Sequence, residues 1–290
     1  MQAYTHKQAY IAAEMSRDDF VEHKPHVYDR IQVDPLHPIY QQTVGDFTET
    51  MFKFPTLPLF VGKFALTEDE IEAMDLNVLR MLIRRNDSRN PVFLPKAAGP
   101  LVPLILQNIN YHRQFFAANA DAFVYLTVRV CDYETMYYRN SAEWHIDGYQ
   151  GARIARHKVE QNAFWSNVNP TQFSVQPYFC EGLNPRIHDI NEFFNRNTDE
   201  AFAVKGVENG IYFVNPYHVH RVCPERFEGK RVFVRINFSP RADRGSHQHR
   251  ESMLPGCGLR EAGGRAQLPA RLHDRRGFEQ RRTSVEIQNQ

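Results

Sequence analysis

The sequence has few cysteines, and they are widely separated. Cys131, Cys180, Cys223 and Cys257 form no CxxC pair, so neither a zinc knuckle nor a disulfide framework is indicated. Scattered thiols without a pairing pattern are typical of a reducing compartment. We therefore expect a cytoplasmic protein.

Long hydrophobic runs are also missing. The most apolar stretch, Ala97 to Leu106, is ten residues long and contains Pro100 and Pro103, whereas a membrane-spanning helix needs about 20 apolar residues. Residues 1–20 lack the apolar core of a secretory signal peptide. The sequence therefore predicts no association with membranes.

The chain has no strong excess of either charge. Its 35 basic and 34 acidic residues give a net charge of +1, which argues against nucleic acid as a partner, because such binding depends on excess Lys and Arg. The balance changes after Pro240, where residues 241–290 carry ten Arg, no Lys and six acidic residues without an apolar pattern. We predict a mobile basic tail at 241–290, with a basic arm for an acidic partner as the alternative.

The usual nucleotide-binding motifs are absent. The sequence contains neither GxGxxG nor a P-loop, and it shows no internal repeat. What it does contain is apolar material: 42% of its 290 residues are hydrophobic, enough for one large domain or two small ones. Disorder of the whole chain is thereby excluded.

Residues 1–121 predict a helical and irregular support region. One helix is expected near Tyr10 to Phe20. The clearest signal is a capping box of Thr67 and Glu70, after which apolar residues recur at helical spacing up to Leu82. Another helix is predicted to start near Pro103 and to end at about Asn119.

Residues 122–240 read instead as a run of short strands. β-branched and aromatic residues predict the strands Phe123–Val130, Glu143–Ile146, Gln172–Phe179, Gly210–Val214 and Arg231–Phe238, interrupted by a short helix at Asp189–Asn195. Helices followed by strands favour an α+β chain whose β part is a sandwich or barrel.

Three residues of this β region have the spacing of a metal site. Side chains at i and i+2 of a strand share a face, so His145 and Asp147 present an imidazole and a carboxylate together. A histidine from a later strand, His220 or His218, completes the set. Two histidines and one carboxylate on one face leave three positions open, as in non-haem Fe(II) oxygenases. Mn(II), Co(II) and Zn(II) fit the same ligands.

Two arginines on one face of the last strand need an explanation. Arg231 and Arg235 alternate with the apolar Val232, Val234 and Ile236 in GKRVFVRINFSP. A guanidinium in a buried strand is suited to binding a carboxylate through two hydrogen bonds. Arg231 is the first choice for such a ligand, and Arg235 is assigned either to substrate or to a carboxylate of the protein.

Together, these residues resemble the Fe(II)- and 2-oxoglutarate-dependent oxygenases. That family has an HxD motif, a distal His and a following Arg, which correspond here to His145, Asp147, His220 and Arg231. The string HRV followed by GKR resembles the prolyl-hydroxylase and phytanoyl-type branches, and it favours His220 over His218.

The resemblance covers about residues 120–240 and has consequences for fold and activity. It implies a double-stranded β-helix, a cupin-like jelly roll with N-terminal bracing helices. It also implies Fe(II) and O₂, with 2-oxoglutarate as the cosubstrate that becomes succinate and CO₂. Asp147 stands where halogenating members have a small residue, which argues for hydroxylation, although desaturation and cyclisation need the same ligands.

The substrate is expected to be a small polar metabolite. Polar and aromatic residues around the HxD segment suit such a ligand better than a hydrocarbon, and the candidate contacts are Tyr138, Gln150, Arg153, Trp165 and Gln176. Two other functions remain open. One is a cupin-like metal-binding or sensory module without redox turnover, and the other is a metal-dependent isomerase or hydrolase.

Overall fold

The computed structural model describes residues 52–53, 57–87, 89–116, 121–137, 143–147, 161–184 and 187–240, together with the backbones of three further strands. The strands are β1 (Tyr10–Ala12), β2 (Ile31–Val33), β3 (Leu59–Lys63), β4 (Val78–Arg84), β5 (Val92–Pro95), β6 (Phe123–Cys131), β7 (Gln161–Ser166), β8 (Gln172–Ser174), β9 (Ala203–Lys205), β10 (Gly210–Val214), β11 (His220–Arg221), β12 (Arg231–Ser239) and β13 (Ser284–Ile287). The helices are α1 (Glu68–Ala73), α2 (Val102–Phe115), α3 (Tyr133–Tyr137) and α4 (Ile190–Asn197), with 3-10 turns at Lys96–Leu101 and Glu200–Phe202. None of these helices has the length and hydrophobicity needed to cross a bilayer.

A six-stranded antiparallel sheet forms the larger layer. Its strand order is β3-β10-β7-β12-β6-β4. The longest pairing joins β12 to β6, from Arg231 opposite Cys131 to Ser239 opposite Phe123. The predicted α+β class is confirmed, and the sheets are antiparallel.

A second, three-stranded sheet contains His220, one of the predicted ligands. Its order is β11-β8-β9, and His145 forms an antiparallel bridge with His220 of β11. From β6 onward the chain alternates between the two sheets, since it passes from β6 to His145, back to β7, to β8 and β9, back to β10, to β11 and finally to β12.

The two faces of β12 belong to different apolar clusters. Val232, Val234, Ile236 and Phe238 join the main core together with buried residues of α2, where the ring of His112 stacks on Phe238 at 3.9 Å between centroids. The opposite face carries Phe233, which packs against the cluster formed by Phe60, Phe164, Phe173, Tyr212 and Val214. This second cluster contains residues of both sheets and therefore lies between them.

Several predicted elements are confirmed closely. Strands β6, β10 and β12 match their predicted ranges to within one residue, and α2 begins next to Pro103 as expected. Helix α4 has the predicted Asp189 as its N-cap and extends to Asn197, two residues beyond its predicted end.

The helix predicted from the Thr67 capping box is much shorter than expected. The box itself is present, with Glu70 N–H donating to Thr67 Oγ1 at 3.2 Å. However, the helix ends at Ala73, and Val78–Arg84 is a strand that pairs with β6. Over a run this short, the spacing of apolar residues is compatible with both a helix and an edge strand. The hydrogen bonds and packing with β6 outweigh the local preference for a helix.

Other strand and helix predictions need correction. Strand β7 was not predicted, because its polar residues are buried and break the expected alternation. In place of the predicted strand Glu143–Ile146, the structure has a single bridge at His145. The strand predicted at Gln172–Phe179 ends at Ser174. At the predicted helix near Tyr10, residues Tyr10–Ala12 form a strand with β2, and positions 13–20 lie outside the described residues.

The two ends of the chain also contribute strands. Both edges of the large sheet, β3 and β4, come from the region before residue 122.

Within 241–290 the structure describes only β13, which pairs with β5 although no strand was expected there. Short-range periodicity gives no sign of a pairing with a partner so distant in sequence. The domain boundaries at 121 and 240 and the mobility of 241–290 stay predictions.

We expect the N-cap of α4 to contribute measurably to stability. Asp189 Oδ1 accepts a hydrogen bond from Glu192 N–H at 3.0 Å, and the helix buries Ile190 and Phe194. Asp189→Ala should therefore lower the free energy of unfolding by about 1 kcal/mol in urea titrations. Asp189→Asn keeps a capping oxygen and is the control; equal losses in the two variants would contradict this role.

Candidate metal centre

The backbone brings His145 and His220 directly opposite each other. His145 N–H donates to the carbonyl of His220, and His220 N–H donates to the carbonyl of His145, both at 2.9 Å. Residues opposite each other in a strand pair have side chains on the same face. The two imidazole rings accordingly lie 4.5 Å apart between centroids.

Asp147 completes a group of three possible ligands. One ligand atom from each of His145, Asp147 and His220 lies within 4.8 Å of the others, and His220 Nε2 is 3.9 Å from Asp147 Oδ2. Among the described residues, no other three His, Cys, Asp or Glu side chains lie close enough together to hold a metal ion. Two imidazoles and one carboxylate form the donor set predicted from the sequence.

Both histidines have the tautomer that suits metal binding. His145 Nδ1 lies 2.8 Å from the carbonyl oxygen of Glu143, and His220 Nδ1 lies 2.8 Å from that of His218. Because a carbonyl oxygen only accepts, each Nδ1 must carry the proton as donor. In the neutral ring this places the lone pair on Nε2, and the hydrogen bond at Nδ1 fixes the orientation of the ring.

The charge states also suit a metal. Burial lowers the pKa of His220 to about 4, an effect that neighbouring His145 increases, so this imidazole is neutral at pH 7. Burial alone would raise the pKa of Asp147, but the Arg235 guanidinium and then the two histidines hold the pKa at about 2. A neutral imidazole and an ionised carboxylate are the forms that coordinate cations.

Arg235 is the guanidinium next to the cluster. Its Nη1 donates to Asp147 Oδ2 at 3.2 Å, and it lies opposite Phe164 of β7 and Thr127 of β6. Of the two roles predicted for Arg235, the structure therefore shows a contact with a carboxylate of the protein.

Arg231 is more deeply buried and has no carboxylate partner among the described residues. The residue is 3% exposed; its Nε donates to the carbonyl of Asn169 at 3.0 Å, and its Cζ lies 4.9 Å from the centroid of Phe233. Nη2 has no hydrogen-bond partner in this part of the chain. Burial lowers the pKa of Arg231 to about 10, so the side chain remains a cation at pH 7.

A row of aromatic rings connects Arg231 with the cluster. Phe233, which lies beneath the Arg231 guanidinium, is 5.7 Å from Phe164, and Phe164 is 5.3 Å from His220, between ring centroids. Phe233 and Phe164 thus lie between Arg231 and His220, and Arg231 is on the same face of β12 as Arg235, which contacts Asp147.

His218, the alternative distal ligand, is used elsewhere. Its Nδ1 lies 2.9 Å from Asn215 Oδ1, and its Nε2 lies 3.1 Å from the carbonyl of Leu57. Burial lowers the pKa of His218 to about 4. The structure thus brings His220, and not His218, to His145 and Asp147.

The predicted substrate residues do not gather at the cluster within the described chain. Trp165 is buried in the main core and donates through Nε1 to the carbonyl of Phe64 at 2.8 Å, on the opposite face of β7 from Phe164. Gln176 donates to the carbonyl of Asn197 and accepts from Asp199 N–H. Tyr138, Gln150 and Arg153 lie outside the described residues.

Helix α4 supports the HxD segment from its other edge, which sequence reasoning did not find. Asn195 Oδ1 accepts from Trp144 N–H at 3.3 Å, and Asn191 Oδ1 accepts from Ile146 N–H at 3.4 Å. These amides flank His145 and point away from β11. The spacing of two asparagines one helical turn apart was the available signal.

Comparisons with known proteins found weak structural likenesses only. No protein-family model matches the sequence, and no curated protein matches it. EvdO2 from Micromonospora carbonacea var. aurantiaca is similar at 12% identity and a TM-score of 0.33, over 61% of this chain and 93% of that protein.

Two further solved structures are similar at the same low level. EvdO2 complexed with 2-oxoglutarate has a TM-score of 0.31 at 10% identity, over 61% of this chain and 93% of that one. CytC3 with Fe(II) and alpha-ketoglutarate has a TM-score of 0.23 at 10% identity, over 62% and 79%. We therefore base the function on the geometry of the site alone.

Proposed function

We propose that the protein is an Fe(II)- and 2-oxoglutarate-dependent oxygenase that hydroxylates an unactivated C–H bond of a small polar metabolite. The observation that carries this proposal is the buried guanidinium of Arg231, whose Nη2 has no partner among the described residues. Arg231 shares a face of β12 with Arg235, which contacts the His-Asp-His group. A metal site alone would not require a second, buried cation nearby.

The strand order supports a double-stranded β-helix as the fold. Four strands of the large sheet, in the order β10-β7-β12-β6, alternate along the chain with the small sheet, in the order β9-β8-β11 followed by the His145 segment. A chain that alternates between two facing sheets forms a jelly-roll sandwich with its site at one end. Helix α2, packed on the outer face of the large sheet, fits the proposed bracing role.

The metal proposal is supported by the chemistry of the donors. His145 and His220 would bind through Nε2, because each Nδ1 is engaged with a backbone carbonyl, and Asp147 would bind through one oxygen of its ionised carboxylate. Arg235 would donate to the Asp147 carboxylate and keep it in one orientation. Second-sphere contacts of this kind orient ligands and adjust their basicity.

The cosubstrate proposal follows from the cost of burying a charge. Arg231 donates to the carbonyl of Asn169 and hydrogen-bonds with the Cys131 thiol. Neither of these neutral groups balances its charge, and a buried guanidinium without an anion is strongly destabilising. 2-Oxoglutarate has a carboxylate at the end remote from its keto acid, so this carboxylate would accept from Arg231 while the keto acid reaches the metal. The row of rings from Phe233 to His220 would form the apolar wall beside it.

When bound, iron would supply the activation of O₂ that couples oxidative decarboxylation of 2-oxoglutarate to C–H hydroxylation. In the balanced reaction, substrate R–H, 2-oxoglutarate and O₂ give R–OH, succinate and CO₂. The residues of this chain bind, orient and exclude water. Arg231 fixes the cosubstrate, Arg235 orients Asp147, and the rings between the sheets keep solvent from the reacting centre.

The identity of substrate and partners stays a proposal. We propose a small polar metabolite as the substrate, with no nucleic acid or membrane partner, on the near-neutral charge of the chain. A cytoplasmic location is proposed on its scattered cysteines, of which Cys131, Cys180 and Cys223 are free thiols.

Anaerobic addition of Fe(II) and 2-oxoglutarate tests the proposal. The bidentate chelate of these two components has a weak visible charge-transfer band, and we expect the band with 2-oxoglutarate but not with succinate, which lacks the keto acid. Protein that retains one equivalent of Fe(II) without developing the band would instead support a cupin-like module without redox turnover.

A further inference from the structure

The residues next to the two histidines meet on the opposite face of the small sheet. Trp144 precedes His145 and Arg221 follows His220, and neighbouring side chains of a strand point to opposite faces. The Arg221 Cζ lies 4.2 Å from the centroid of the Trp144 ring. This contact therefore joins the same two segments as the metal cluster, on the side away from the metal.

One carboxylate holds both of these side chains. Glu200 Oε1 accepts from Trp144 Nε1 at 3.1 Å and from Arg221 Nη1 at 2.8 Å, and Glu200 Oε2 accepts from Arg221 Nη2 at 2.5 Å. We call Glu200, Arg221 and Trp144 the clamp. Arg221 Nε also donates to Gln172 Oε1 of β8 at 2.7 Å, which attaches the clamp to the sheet.

Without the clamp, few backbone hydrogen bonds hold the two histidine segments together. The His145 segment meets β11 in a single bridge, and β11 is two residues long. Few ladder hydrogen bonds thus oppose sliding or separation of the two segments. Metal ligands, in contrast, must be held within a few tenths of an ångström of their bonding distances.

We propose that Glu200 is a positioning residue, which acts through Arg221 and Trp144 to hold His145 and His220 at the separation that a bound metal requires. The inference rests on the proposed metal centre of the preceding section, although not on 2-oxoglutarate or turnover. Outer-sphere groups that orient metal-binding histidines typically change metal affinity by about 10–100-fold.

The clamp has the properties expected of a positioning device. The Glu200 side chain is 62% exposed, whereas that of Arg221 is 11% exposed. Glu200→Gln keeps an oxygen that can accept from Trp144 and Arg221, so both retain a hydrogen-bond partner and the core should change little. A loss of metal affinity without a loss of stability is therefore its expected signature.

Co(II) binding to the full chain tests this role. We expect the Co(II) dissociation constant of Glu200→Gln, measured from the visible spectrum under argon, to rise about 10-fold. The melting temperature of the metal-free protein should change by no more than about 3 °C. Glu192→Gln is the matched control: it removes the same charge from an exposed ion pair with Arg196 on the neighbouring α4, and its Co(II) affinity should equal that of the wild type.

The charge-reversed double variant Glu200→Arg with Arg221→Glu adds a second measurement. If this double variant binds Co(II) more tightly than Glu200→Gln does, the clamp is supported, because the ion pair is restored with its charges exchanged. An affinity of Glu200→Gln within twofold of the wild type, or a loss as large in Glu192→Gln, overturns the proposal. Failure of the wild type to bind Co(II) overturns it together with the metal centre. If the wild type binds Co(II) tightly but its Fe(II) form shows no charge-transfer band with 2-oxoglutarate, the proposed oxygenase activity is wrong and the clamp proposal is unaffected.

Discussion

His145→Ala and Asp147→Ala are each expected to form succinate at less than about a tenth of the wild-type rate, because a lost ligand costs more than the 10–100-fold typical of outer-sphere changes. Each variant removes one of the three proposed ligands. The fold should persist, since both side chains lie at the edge of the small sheet and His145 pairs with His220 through its backbone. Succinate release and Fe(II) content are the two measurements.

His218→Gln is the informative control for this prediction. His218 is fully buried against Asn215 and Leu57 and is not a member of the cluster. Its replacement should lower the melting temperature while the folded protein retains its Fe(II). Loss of iron from His218→Gln, together with retention of iron by His145→Ala, would show that the ligand assignment is wrong.

Arg231→Lys is expected to weaken 2-oxoglutarate binding by about 1.5–3 kcal/mol, the contribution of a charge-assisted hydrogen bond, or roughly 10- to 150-fold. Lysine keeps the positive charge but loses the planar group that donates two parallel hydrogen bonds. It also loses the Nε contact with Asn169. Titration of the charge-transfer band with 2-oxoglutarate at saturating Fe(II) measures the change.

Arg235→Lys separates the roles of the two arginines. Because Arg235 donates to Asp147 Oδ2, its replacement should lower Fe(II) affinity more than the affinity for 2-oxoglutarate. If Arg235→Lys weakens 2-oxoglutarate binding and Arg231→Lys does not, the two assignments are exchanged.

Local patterns predicted the parts of the fold in which short-range and long-range interactions agree. In β12, apolar residues at every second position give a strand with one face in the main core, and α4 begins next to Asp189, the predicted first residue of that helix. The same logic failed for Val78–Arg84, where a helical pattern lies in a strand. It also failed for β7, whose Asn162 is buried because it accepts a hydrogen bond from Asn237 of β12.

The sequence by itself determined the set of possible ligands, because two residues at i and i+2 must share a face of a strand, and it predicted that a later histidine and an arginine complete the site. Only the tertiary structure placed His220 rather than His218 beside His145 and Asp147, and Arg235 rather than Arg231 in contact with Asp147. These choices depend on contacts such as Arg235 with Asp147, 88 residues apart. They also depend on the clamp, in which Trp144 meets Glu200 over 56 residues. Periodicity reports which face a side chain occupies, whereas the partner on that face is set by how the two sheets meet.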